Sequence, residues 1–106
     1  MRVTITPCNK LLPEQVNMDD MKDFIRHLGE EYVEVNSAWK ELQESPGDGK
    51  SQEHLGEELV DLMTMCMTVL TAMEKMDGVP HQFIDAVTDK VFLKNYARGY
   101  HDEPIG

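Results

Sequence analysis

Two acidic clusters stand out in this chain for their residue types and spacing. Residues 29–35 read Gly-Glu-Glu-Tyr-Val-Glu-Val, and residues 56–62 read Gly-Glu-Glu-Leu-Val-Asp-Leu. On a helix turning about 100° per residue, Glu31 and Glu34 lie roughly 60° apart, with Glu30 roughly 40° from Glu34 on the other side. Glu58 and Asp61 share the three-residue spacing, and Glu57 stands to Asp61 as Glu30 stands to Glu34. Like charges so placed destabilise a helix by about a few tenths of a kcal/mol, and burying them unpaired costs more. A divalent cation would remove the conflict. Mg²⁺ takes carboxylate and water oxygens in an octahedral array, and Glu31, Glu34, Glu58 and Asp61 offer a set of carboxylates if two helices pack face to face. In a chain with 20 Asp and Glu among 106 residues, one acid triplet arises by chance and ordinarily faces solvent. Recurrence on a second segment is what gives the pattern weight.

A metal and carboxylates need a basic counterpart if they act on a phosphate ester. The segment Lys-Val-Phe-Leu-Lys-Asn-Tyr-Ala-Arg-Gly-Tyr, residues 90–100, contains Lys90, Lys94, Asn95 and Arg98, with the three cations spaced to share one helical face. Cations near a helix C-terminus also complement the macrodipole, so this run gains meaning only beside the acids.

The elements that must position these groups are helical. Asn17 or Asp19 can cap a helix running to about residue 43, in which Met21, Phe24, Ile25, Leu28, Tyr32, Val35, Ala38, Trp39 and Leu42 recur at three- and four-residue intervals. Gly29 invites a kink or break just before the first cluster. Residues 45–51, with Pro46, Gly47 and Gly49, read as the connecting loop. A second helix is expected from about Gln52 to Asp77, apolar on nearly every face and so buried between several neighbours, with Cys66 in the core. Gly78 fits its C-terminal cap. Pro80 opens a third helix whose stripe comprises Phe83, Ile84, Val87, Val91, Phe92 and Tyr96. Strand-like alternation appears only, and weakly, in residues 2–6. Five of the eight methionines fall in the second helix, where adaptable core filling accounts for them.

Composition bounds the rest. A chain of 106 residues and 12.1 kDa holds one cooperative core. No segment has the length and apolarity of a signal peptide or a bilayer span, so a cytoplasmic location is expected. Two cysteines, Cys8 and Cys66, make no disulfide framework or cysteine metal site. A net charge of -10 repels the backbone of a nucleic acid duplex.

Together these residues resemble the MazG-like all-alpha nucleoside triphosphate pyrophosphohydrolases. The pattern Glu30-Glu31-x-x-Glu34, then Glu58-x-x-Asp61 after a loop, is similar to the family's paired acidic motifs. The run with Lys90, Lys94, Asn95 and Arg98 is similar to the basic segment that closes small single-domain members. The resemblance covers roughly residues 18–101, the expected helical domain, leaving residues 1–17 as a partly irregular N-terminal extension and 102–106 as a C-terminal tail.

The resemblance implies an all-α helical bundle of MazG-like type, a four-helix arrangement whose active site lies between antiparallel helices and is completed by oligomerisation as a homodimer or homotetramer. It implies Mg²⁺, with Mn²⁺ as a substitute, held by Glu31, Glu34, Glu58 and Asp61. It implies hydrolysis of (deoxy)nucleoside triphosphates to monophosphate and pyrophosphate, Glu30 or a metal-binding carboxylate activating water, and Lys90, Lys94, Asn95 and Arg98 gripping the substrate.

Two other readings compete. Gly47-Asp-Gly-Lys-Ser51 mimics the end of a phosphate-binding P-loop, but that motif needs glycine where this chain has Glu44, and a strand where a helix is expected. A non-enzymatic helical interaction module would leave the acids solvated and bind neither Mg²⁺ nor triphosphate. Tyr32, Trp39 and Tyr100 are expected in core or interface packing more than in base stacking. His27 and His54, each one turn before a cluster glutamate, either line the site or face solvent.

Overall fold

Asn17 starts the first helix with a reciprocal cap. Its side chain accepts from the Asp20 backbone N–H at 2.8 Å, and the Asp20 carboxylate accepts from the Asn17 N–H at 3.0 Å, closing a capping box. The computed structural model describes residues 4–101. Helix α1 spans Met18–Glu44, α2 Gly49–Glu74 and α3 Phe83–Ala97, with a short 3₁₀ turn at Asn9–Leu11. The described residues form an all-helical fold without strands. Thr4–Thr6 are irregular; Arg2 and Val3 of the strand-like stretch lie outside the described residues, as does the expected tail, 102–106.

Helix α1 runs unbroken through Gly29, contrary to the expected kink. Glycine there costs about 1 kcal/mol against alanine, but packing of the neighbouring turns on α2 sustains the helix. The connection is shorter than residues 45–51. Asp48 caps α2 by accepting from the Lys50 N–H (3.3 Å) and the Ser51 hydroxyl (2.9 Å), which draws Gly49, Lys50 and Ser51 into the helix. With helix before this segment and helix within it, the P-loop context is absent. So short a turn lays α2 back against α1 as an antiparallel hairpin, and these two helices make the main packing contact.

The core is small. Val16, Phe24, Met65, Val69 and Ala72 are buried together, flanked by Leu12, Met21, Leu28 and Met76. Ala38 and Ala72 are fully buried, small residues that allow close backbone approach. Thr68 is a buried hydroxyl with both roles satisfied: it donates to the Thr64 carbonyl at 2.8 Å and accepts from the Cys8 N–H at 2.9 Å. With the Val16 N–H donating to the Lys75 carbonyl at 3.0 Å, that bond fastens the described part of the N-terminal extension to α2.

Several expected burials do not occur within one chain. Cys66 is exposed, and so are Leu59, Val60 and Met63 on the supposedly enclosed second helix. Tyr32, Trp39 and Tyr100 are exposed as well. Helix α3 starts at Phe83 rather than Pro80, buries no residue completely, and leaves Val91 and Tyr96 of its stripe in solvent. Gly78, at φ 82°, lies in the turn after α2 and not at the cap itself, which is Lys75. Gly99, also at φ 82°, ends α3 in a Schellman motif: its N–H donates to the Tyr96 carbonyl (3.0 Å) and the Tyr100 N–H to the Asn95 carbonyl (2.9 Å). No helix among the described residues is long and apolar enough to cross a membrane.

Candidate metal centre

The hairpin brings the two acidic clusters together. Glu31 and Glu34 project from the middle of α1, Glu58 from the first half of α2, and each offers a carboxylate oxygen within 4.8 Å of the other two. Oxygens around an octahedral Mg²⁺ at 2.0–2.1 Å stand about 3 to 4 Å apart, so small side-chain rotations would bring this set to ligating distance. Glu31 Oε2 and Glu58 Oε2 are buried without a hydrogen-bond partner. Two carboxylates left in that state are costly, and either a proton shared with Glu34 or a cation would relieve them.

Electrostatics describe the same crowding. The Glu31 carboxyl is pushed above its ordinary value, first by burial and then by the charges of Glu34, Asp61 and Glu58. Glu58 is raised by burial and by close approach and charge of Glu34, then by Asp61, with His54 opposing. Asp61 thus adds its charge to the centre although its oxygens lie outside the tight triplet. No Lys or Arg pairs with Glu31, Glu34, Glu58 or Asp61 among the described residues. The residues present therefore fit a divalent cation.

Other expected site residues are placed differently. Glu30 turns to Arg26 (3.2 Å) and His27 (3.7 Å) on the exposed side of α1, which settles His27 as a surface partner. Lys90, Lys94, Asn95 and Arg98 lie towards the end of α3, and no ion pair joins the three cations to the acids within the described chain. Glu41 carries no signal of its own in the sequence, and His54 could there equally line the site or face solvent. His54 Nδ1 lies 2.8 Å from Glu41 Oε2, and Nε2 lies 3.3 Å from Glu58 Oε1. Its imidazole is raised above its ordinary value, chiefly by the hydrogen bond to Glu41. The spacing Glu34 to Glu41, two helical turns on one face, was the available signal. The loop length that sets His54 opposite Glu41 was not.

No family model, curated protein or solved structure matches the chain.

Proposed function

We propose that this protein is a Mg²⁺-dependent nucleoside triphosphate pyrophosphohydrolase of MazG-like type, acting in the cytoplasm. The observation that carries the reading is the pair of buried, unpartnered oxygens of Glu31 and Glu58 within a three-carboxylate cluster. Glu31, Glu34 and Glu58, with Asp61 beside them, would hold the divalent cation, which would supply charge neutralisation and orientation for the phosphates. A cluster carboxylate accepts the proton of the attacking water as its oxygen bonds to the α-phosphorus and the bond to the bridging oxygen breaks. Monophosphate and pyrophosphate are the products. Glu30, already engaged by Arg26 and His27, is less suited to that proton transfer.

Lys90, Lys94 and Arg98 grip phosphate oxygens, and Asn95 donates to a phosphate or sugar oxygen. No ion pair joins them to the acids among the described residues, and a homodimer or homotetramer would let a neighbouring subunit supply them. Exposed Met18, Ile25, Tyr32 and Trp39, each seven residues from the last, run along α1, and Leu59, Val60 and Met63 add apolar surface on α2. Pairing two hairpins through such surfaces makes a four-helix bundle.

The interaction-module reading takes the same exposed apolar residues as a partner surface and relieves the crowded carboxylates by protonation instead of a cation. Calorimetric titration with Mn²⁺ separates the two. The enzyme reading expects saturable binding by the wild type and its loss in Glu58→Gln at unchanged helical content. Absence of binding to the wild type, or equal binding to the variant, would remove the metal assignment.

A further inference from the structure

Glu58 has unlike surroundings at its two oxygens. Oε1 meets the His54 imidazole, whereas Oε2 is buried and unpartnered, as is Glu31 Oε2. The Glu58 side chain is only 15% exposed, against 42% for His54 and 55% for Glu41. The contacts thus run inward from solvent, from Glu41 on α1 through the imidazole to Glu58 on α2, crossing the seam of the hairpin beside the acid cluster. A glutamate carboxylate turns easily about its terminal bond unless something holds it. Among the described residues, His54 supplies the one basic nitrogen within ion-pairing distance of Glu58, at 3.3 Å.

We infer that Glu41 and His54 form a positioning relay for Glu58, holding one carboxylate oxygen so that the other stays turned to the divalent cation of the proposed centre. The inference rests on the metal reading of the cluster. Ligands in protein metal sites are ordinarily oriented by such outer hydrogen bonds, and losing one typically weakens metal binding about 10- to 100-fold. Both neighbours are carboxylates that only accept, so the ring engages them together as the imidazolium, Nδ1–H towards Glu41 and Nε2–H towards Glu58. Neither Glu41 nor His54 belongs to the cluster itself. A purely mechanical role, stitching α1 to α2 near their connection, would instead affect folding stability alone.

The test measures the Mn²⁺ dissociation constant by calorimetry, together with kcat and KM for triphosphate hydrolysis, on full-length wild type, His54→Ala, His54→Gln and Glu41→Ala. His54 and Glu41 are surface residues, and circular dichroism checks that each variant keeps its helices. The relay predicts about tenfold weaker Mn²⁺ binding in His54→Ala and a fall in kcat at nearly constant KM. Glu41→Ala should move the same way by a smaller factor. His54→Gln, which retains an N–H for Oε1, should recover much of the loss. Wild-type Mn²⁺ affinity and kcat in His54→Ala, with only a lower melting temperature, would overturn the relay and leave the stitch. A wild type that binds no Mn²⁺ would remove the metal reading and the relay together, an outcome distinct from a variant that binds as well as the wild type.

Discussion

Glu31 and Glu58 carry ionisable groups where ionisation is disfavoured, and this has a consequence for stability. Both carboxyls titrate above their ordinary 4.5 in the folded chain, so protonation favours the folded state. Their contribution is fully present below the unfolded-state value and is lost as pH rises through the folded-state values. His54, raised above its ordinary 6.5, acts in the same sense at higher pH. Metal-free protein should therefore gain stability as pH falls from above neutrality into the carboxylate range. Saturating Mg²⁺ should reverse the trend, because the ligands are the deprotonated forms. Thermal melts at a series of pH values, with and without Mg²⁺, would show a metal-induced rise in melting temperature that grows with pH. A rise independent of pH would mean the cation binds elsewhere. At this scale the sequence was informative about which acids converge, since three- and four-residue spacing fixes a helical face. It said little about Glu41 and His54, whose meeting depends on the register between two helices.

Among the elements, α1 is the instructive case. Its cap at Asn17 and its stripe were legible because both are local, one a hydrogen-bond pattern and the other a period. Gly29 was misleading because intrinsic propensity is a weaker influence than the packing of flanking turns. A Cβ built at Gly29 meets nothing within 4 Å, so the glycine serves no steric need within the chain. Gly29→Ala should stabilise the protein by about 1 kcal/mol, which for a domain near this size raises the melting temperature by about 4–8 °C. A lower melting temperature in this variant would place a close neighbour, such as another subunit, over Gly29. The connection to α2 differed from expectation because Asp48 is a good N-cap and pulled a glycine and two polar residues into the helix. Helix α2 looked enclosed because all-round apolarity signals burial without saying whether the covering surface comes from the same chain.

For the whole molecule, the exposure of Cys66, Trp39, Val91 and Tyr96 goes with an extended shape. The Cα radius of gyration is 16.5 Å, where a self-contained domain of this length has about 13 Å. The accessible surface of 8146 Å² likewise exceeds the roughly 6,000 Å² expected of a monomer of 12.1 kDa. A chain with this much uncovered apolar surface should associate. Sedimentation is expected to give a dimer or tetramer, and Tyr32→Glu together with Met63→Glu should shift it towards monomer. A monodisperse monomeric wild type would contradict the proposed assembly. Triphosphate hydrolysis is read out by incubating the protein with a panel of ribo- and deoxynucleoside triphosphates, with and without Mg²⁺, and separating the products. A metal-dependent pyrophosphohydrolase gives monophosphate and pyrophosphate, formed only with the metal. Diphosphate and phosphate, or no cleavage of any triphosphate, would contradict the proposed activity.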